Sequence, residues 1–216
     1  MILYAFTLSP FAARVRLALR VKGIGHDLLA PPGGGTRSPD FLAINPIGRL
    51  PVLVTDDGLT IVESETIIDH LDEQYPIPSL TPVAPRDRAR MRTVIRAFEL
   101  YATPAMFRLF KQIDPAKRDP AVVEAEVARW REGLTLTNGF VDDAMFAVGG
   151  AISKADCILL PSLLLCGVTA SIFGLEDPLT DLGALAGYRD KARTHEDMGV
   201  IWTETADALA AMRAQP

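Results

Sequence analysis

The chain has 216 residues, a formal net charge of −5 and a hydrophobic content of 49%. These values are those of an ordinary globular protein, long enough for one large domain or two modest ones, and they exclude a predominantly disordered chain. The acidic balance leaves no surplus of basic residues for phosphate backbones or anionic lipid. We therefore expect neither nucleic acid nor a membrane as a partner.

Short β-type runs alternate with helical ones up to about residue 75. An amphipathic helix is predicted over residues 10–23, between a strand at 2–6 and a weaker strand at 26–30. Two further runs, PVLV and LTIV, are joined by a turn that contains Asp57-Gly58, which predicts a hairpin, and another helix begins at Ser64. The order βαβ, ββα predicts an α/β domain with a mixed sheet.

The alternation of short β-type and helical runs ends at the proline-rich stretch YPIPSLTPVAP, which is interpreted as a linker. Beyond it we find helical spacing and no convincing strand, and Pro104 is expected to kink or end a helix. We predict an α/β domain over residues 1–75, a linker over 76–84 and an all-helical domain over 85–216.

Residues 157–175 carry no charge and are long enough to span a membrane. Polar residues, glycines and Pro161 dilute the run, and a capping box formed by Ser153 and Asp156 precedes it. A buried central helix is therefore the preferred interpretation.

Metal and disulfide chemistry find little support in the sequence. Cys157 and Cys166 fall on opposite faces of one predicted helix, so they do not pair. The three histidines, His26, His70 and His195, lie in three different elements, and no metal site is expected. The start of the chain lacks the pattern of a secretory signal, which favours a cytoplasmic protein.

Two predicted helix N-termini carry hydroxyl groups. Ser9-Pro10 is a serine N-cap followed by proline at the first helical position, and Glu63-Ser64 opens the next long helix. Each pair is either a plain cap or part of an anion site, because a helix N-terminus with a hydroxyl donor stabilises a thiolate or a carboxylate. Arg37 in a flanking loop is available for a further carboxylate, and so is Arg49.

Four strings together resemble the cytosolic glutathione S-transferases. They are SPFAARVRLALRVKG, NPIGRLPVL, ESETIIDHL and SKADCILLPSLLL, which occur in the order and spacing of that family's hallmarks. The resemblance implies a thioredoxin-like N-terminal domain followed by an all-helical one. It also implies that Pro51 is cis and that the backbone of Leu50 meets the cysteinyl part of glutathione.

The same resemblance assigns roles to individual residues. Ser9 matches the serine that hydrogen-bonds the glutathione sulfur in serine-type classes, and Glu63 and Ser64 match the pair that takes the γ-glutamyl end. The remaining glutathione-binding positions that it implies are Phe11, Arg37, Arg49, Leu50 and Pro51.

The resemblance also implies an electrophile site against the helical domain and a homodimer. Four side chains near Pro104 are candidates for lining this site, although each also fits a plain core stripe: Tyr101, Met106, Phe107 and Phe110.

The expected activity is attack of the glutathione thiolate on a small electrophile, as in detoxification, with glutathione as co-substrate. Serine rather than cysteine at position 9 argues against thiol transfer. A glutathione-dependent isomerase or lyase, or a non-catalytic binding protein on the same fold, remains an open alternative.

Overall fold

The computed structural model describes residues 1–214, which form two compact units. The first unit contains residues 1–80 and the last helix of the chain, and the second contains residues 81–195. The sequence-based division places that last helix in the helical domain, whereas in the structure it packs along the first helix.

The first unit is a thioredoxin-like fold, as the family resemblance implies, with the mixed sheet that the order of its elements predicts. Its four strands lie in the order β2-β1-β3-β4, with β1 parallel to β2 and the other neighbours antiparallel. Its elements are β1 (Ile2–Tyr4), α1 (Pro10–Val21), β2 (Asp27–Leu29), α2 (Pro39–Ile44), β3 (Val52–Val54), β4 (Thr60–Val62), α3 (Ser64–Gln74) and, at the end of the chain, α9 (Glu196–Arg213).

The sheet of this unit has a hydrophobic core. Leu3 and Leu53 oppose each other in neighbouring strands, and both are completely buried. The predicted hairpin is present, and its loop is closed by Thr55, whose hydroxyl oxygen accepts a hydrogen bond from the Leu59 N–H at 3.0 Å. Strand alternation thus fixes which side chains enter the core.

The buried ammonium group of Lys22 holds the segment that follows α3 against α1. Lys22, directly after α1, has a fully buried side chain that pairs with Asp72 at 2.8 Å. Its Nζ also donates to the carbonyl oxygens of Tyr75 at 2.6 Å and Pro78 at 2.8 Å. The same oxygen of Asp72, Oδ1, also accepts a hydrogen bond from the Leu80 N–H at 2.7 Å. One lysine therefore holds α1, α3 and the segment after α3 together.

The second unit is helical. In chain order it contains α4 (Pro85–Ala97), a π-helical turn (Phe98–Ala102), α5 (Thr103–Phe110), α6 (Pro120–Asn138), α7 (Lys154–Ile172) and α8 (Gly183–Ala192).

The predicted break at Pro104 takes the form of the π-helical turn. Proline has no N–H for an ordinary helical hydrogen bond, and here the preceding Thr103 donates its N–H to the carbonyl of Phe98, five residues earlier. Gly133 of α6 lies against this turn, where a Cβ would come within 2.3 Å of the Tyr101 carbonyl. The wide turn and the missing side chain allow α6 to approach closely.

Helix α7 is the core of this unit. It is the one helix among residues 1–214 with the length and apolar composition of a membrane span, yet 78% of its apolar window is buried inside the fold. The predicted capping box is present: the N–H of Ser153 donates to Asp156 at 2.8 Å. The same carboxylate accepts from the Ala147 N–H at 2.7 Å, and burial raises its pKa. This pattern is that of a buried central helix.

We predict that Lys22→Met lowers the free energy of unfolding by about 3 kcal/mol, because it leaves Asp72 without its buried partner. The matched control is Lys191→Met, since the Lys191 side chain is 47% exposed and pairs with the exposed Asp143. That control should cost less than about 1 kcal/mol. Urea denaturation of both variants measures the difference, and equal losses would contradict the assigned role of Lys22.

Candidate functional site

Three chain segments meet the sheet at the same edge, the one formed by the ends of β1 and β4 and the start of β3. Tyr4, the last residue of β1, pairs with Val52 at the start of β3, and Val52 in turn pairs with Val62 at the end of β4. Neighbouring strands are about 4.8 Å apart. The segment after β1 leads to Ser9, the segment after β4 leads to Glu63, and Leu50 lies just before β3. All three therefore meet the sheet at adjacent positions.

Ser9 caps α1, as the sequence predicts. Its N–H closes a turn by donating to the Phe6 carbonyl at 3.0 Å, and its Oγ accepts from the Ala12 N–H at 3.3 Å. Since a hydroxyl has one donor and two acceptor positions, the accepted bond leaves the O–H proton available for a further partner. The positive end of the helix dipole lies at the same place, so an anion beside Ser9 is stabilised twice.

The segment before β3 is organised by Asn45, whose role the sequence analysis did not foresee. Asn45 is 1% exposed, and its Oδ1 accepts from the Ile47 N–H at 3.0 Å while its Nδ2 donates to the Arg49 carbonyl at 2.8 Å. An Asn-Pro dipeptide such as Asn45-Pro46 is typical of a turn, but a turn motif does not show that the Asn side chain spans it. Beyond Arg49, the Leu50–Pro51 peptide is cis, in agreement with the expectation.

Gly48 brings Arg37 to the same segment. It has φ +65°, and a Cβ there would lie 2.9 Å from both the Thr36 carbonyl oxygen and the Arg37 Nη1. Arg37 also donates from Nη1 to the Ile47 carbonyl at 3.5 Å. The structure thus places this exposed guanidinium beside the loop that leads to Leu50.

The segment after β4 contains the one non-glycine residue with positive φ among residues 1–214. Glu63 has φ 68° and ψ 122° at the N-cap of α3, and its carboxylate makes no capping hydrogen bond. Such backbone conformations cost about 1–3 kcal/mol and cluster at ligand sites. Ser64, the first helical residue, is 6% exposed, so a second helix N-terminus with a hydroxyl lies at this edge.

The remaining predicted glutathione contacts lie on the same unit. Phe11, in the first turn of α1, is half-buried, and the Arg14 guanidinium lies 4.6 Å from its ring centre. Arg49 is exposed, and its carbonyl is the acceptor for Asn45. The roles assigned to these residues stay predictions.

The four residues predicted near the electrophile differ in exposure. Tyr101 is 57% exposed in the π-helical turn, and Phe107 is 39% exposed, with its ring 5.7 Å from that of the half-buried Phe110. Met106 is only 1% exposed and lies 3.9 Å from the Cys166 sulfur. Three of the four side chains are thus at least partly exposed to solvent, whereas Met106 is packed in the core of the helical unit.

The cysteines are not placed for chemistry. Cys157 and Cys166 are both buried and free, and burial raises the pKa of Cys166 to about 12, so its thiol stays protonated at neutral pH. In the described part of the chain, no group of three or more histidine, cysteine, aspartate or glutamate side chains is arranged to hold a metal ion. The anion-stabilising edge of the sheet remains the candidate site.

We predict that Gly48→Ala lowers the free energy of unfolding by about 3 kcal/mol, because both the backbone conformation and the contacts reject a Cβ. Gly34→Ala is the matched control, since Gly34 has φ +83° but open space around it. The control should cost about 1–2 kcal/mol. Chemical denaturation distinguishes the two, and equal losses would show that the loop has room beside Arg37.

Comparisons with known proteins identify the family. Residues 3–81 match the family described as glutathione S-transferase, N-terminal domain. A maleylacetoacetate isomerase of Pseudomonas aeruginosa is 33% identical over 170 residues, which cover 74% of this chain and 79% of that protein.

Solved structures show the same fold. A maleylpyruvate isomerase from Pseudomonas aeruginosa aligns with a TM-score of 0.70 at 25% identity, covering 95% of this chain and 97% of that one. A glutathione transferase from Phanerochaete chrysosporium in complex with oxidized glutathione aligns with a TM-score of 0.79 at 21% identity, covering 96% of each chain. The Pseudomonas relative and the family match together show that this chain belongs to the glutathione S-transferase family.

Proposed function

We propose that this chain binds glutathione at the edge of the sheet where Ser9, Leu50 and Glu63 meet, and that it activates the glutathione thiol there. The observation that carries the proposal is the strand register Tyr4–Val52–Val62, which brings two helix N-termini and the cis-proline segment to one place. A tripeptide with a thiol and two terminal carboxylates has groups that suit each of these parts.

Ser9 is the group we assign to the sulfur. Its hydroxyl donates a hydrogen bond to the thiolate while its oxygen keeps the bond from Ala12. The dipole of α1 adds to this stabilisation of the anion, so the pKa of the bound thiol falls and more thiolate is present at neutral pH. Ser9 acts as a donor in this scheme and removes no proton.

The peptide part of glutathione occupies the other two segments in this proposal. The Leu50 N–H and carbonyl pair with the cysteinyl backbone in the manner of a strand. The γ-glutamyl end takes Ser64 and the amides of α3 for its carboxylate and Glu63 for its ammonium. Arg37 and Arg49, at the loop before Leu50, face the glycyl carboxylate.

Isomerisation of a cis double bond is the reaction we favour, and the name of the Pseudomonas relative supports it. The thiolate sulfur adds to one carbon of a maleyl double bond, and the electron pair moves to the conjugated carbonyl as an enolate. Rotation about the new single bond follows. The enolate then re-forms the double bond in the trans geometry and expels the thiolate, so that no glutathione is consumed.

Transfer of glutathione to an electrophilic carbon is the second candidate, and the family to which the chain belongs supports it. Here the sulfur forms a bond that persists, while a leaving group departs with its electron pair. Both reactions need the same thiolate. We extend the proposal to a cytoplasmic homodimer, and the second candidate includes detoxification of small electrophiles.

The stoichiometry of glutathione separates the candidates. Maleylpyruvate in large excess over glutathione should be converted completely by the protein, with the free thiol unchanged at the end. Under the same conditions with chlorodinitrobenzene, a transferase consumes one thiol for each product molecule. Conversion that stops when the thiol is exhausted would reject isomerisation. Binding of glutathione without turnover of either substrate would instead indicate a non-catalytic binding protein.

A further inference from the structure

Helix α9 is attached to α1 by two ion pairs. Arg16 pairs with Glu204, and one helical turn later Arg20 pairs with Asp197 at 2.9 Å. The two arginines differ in burial: the Arg16 side chain is 8% exposed, and that of Arg20 is 43% exposed. The Arg16 cation is therefore the more protected from solvent, although its partner Glu204 is 48% exposed and Asp197 is 26% exposed.

Arg16 also touches the segment that leads to Ser9. Its Nη1 donates to the Thr7 carbonyl at 3.3 Å, while its Nη2 is the atom that pairs with Glu204. Thr7 is the residue after Phe6, whose carbonyl accepts the Ser9 N–H. One guanidinium thus joins α9 to the turn that presents the Ser9 hydroxyl.

This arrangement requires both partners of the arginine. The planar guanidinium donates in fixed directions, so Glu204 on one side sets where the other nitrogen points. Burial lowers the pKa of Arg16, and Glu204 opposes that effect. Without the carboxylate, a buried cation would be left with a carbonyl alone, and it would move toward water.

The second ion pair lacks this link. Arg20 lies four residues further along α1, about 6 Å farther from the turn. The pair of Arg20 and Asp197 therefore attaches α9 to α1 one helical turn farther from the Phe6–Ser9 turn. Two similar ion pairs thus join the same two helices, and only the arginine of the first, Arg16, also bonds to the segment before Ser9 in the described residues.

We propose that Arg16 is a positioning residue for Ser9 and that Glu204 of α9 holds Arg16 in place. The inference rests on the function proposed above, since the geometry of the Ser9 turn matters because the hydroxyl meets a thiolate. It gives the last helix of the chain a role in the reactivity of the site.

The test compares Glu204→Gln with Asp197→Asn in the full chain. Amide hydrogen exchange of Ser9, whose N–H donates to the Phe6 carbonyl, is measured first by nuclear magnetic resonance, without glutathione. In Glu204→Gln we expect exchange about tenfold faster than in the wild type, the change that follows loss of one hydrogen bond of ordinary net strength. In Asp197→Asn this amide should exchange as in the wild type. Equal exchange in both variants would overturn the inference.

The second readout is the pH profile of thiolate absorbance at saturating glutathione. In Glu204→Gln the apparent pKa of the bound thiol should rise, so that the thiolate fraction at pH 7 falls about threefold or more. Asp197→Asn should keep the wild-type profile. Faster exchange at Ser9 with an unchanged thiol profile would remove the role in reactivity.

Arg16→Lys is a second variant in case Glu204→Gln does not fold. A lysine ammonium keeps the charge beside Glu204 but lacks the fork that spans both partners, so the Ser9 amide should again exchange faster. Unchanged exchange in this variant would overturn the inference. Because exchange is measured without glutathione, its outcome is independent of the proposed function. A wild type that shows no thiolate band would reject the function and leave the exchange result standing.

Discussion

The site depends on the pairing of three short strands. The register that sets Tyr4 beside Val52 and Val52 beside Val62 decides where three loops begin. A shift of one residue would send every side chain of a strand to the opposite face, and the buried pair of Leu3 and Leu53 prevents this. The hydrophobic core of the first unit therefore also determines the position of the residues that we assign to glutathione.

Two of the three segments at this edge are held by a polar side chain from elsewhere in the fold or from the segment itself. Asn45 spans the segment before Leu50, and Arg16 reaches the turn before Ser9. Buried polar groups cost free energy unless they are fully paired, so such networks fix one geometry rather than several. Glu63 shows the opposite relation, because its backbone is held in an unfavourable conformation at the start of α3. Preorganisation of this kind suits a site that must present an amide, a hydroxyl and a carboxylate to one small ligand.

Local features of the sequence were sufficient for much of this architecture. The hairpin, the Ser9 cap and the capping box at Ser153 each follow from a few neighbouring residues, and the structure confirms them. Contacts between distant positions did not follow. The attachment of Arg16 to Glu204 joins residues 188 positions apart, and a helical periodicity cannot show which partner a polar side chain will meet. The same holds for the placement of α9, whose apolar stripe fits any neighbouring helix equally well.

Exposure was the other property that spacing did not determine. Met106 and Phe107 are neighbours in α5, and both are candidates for the same pocket, yet one is in the core and the other is 39% exposed. The family resemblance supplied the cis bond before Pro51, whereas nothing pointed to the second cis bond, before Pro78. The close approach of Gly133 to the π-helical turn near Pro104 is likewise a tertiary contact that spacing does not show.

The central claim is that Ser9 stabilises a glutathione thiolate. Ultraviolet difference absorbance at saturating glutathione and neutral pH tests it in the wild type, in Ser9→Ala and in Ser38→Ala, which removes the equivalent N-cap serine of α2. The account predicts a thiolate band in the wild type and in Ser38→Ala that is lost in Ser9→Ala. A band of equal size in all three proteins would contradict it.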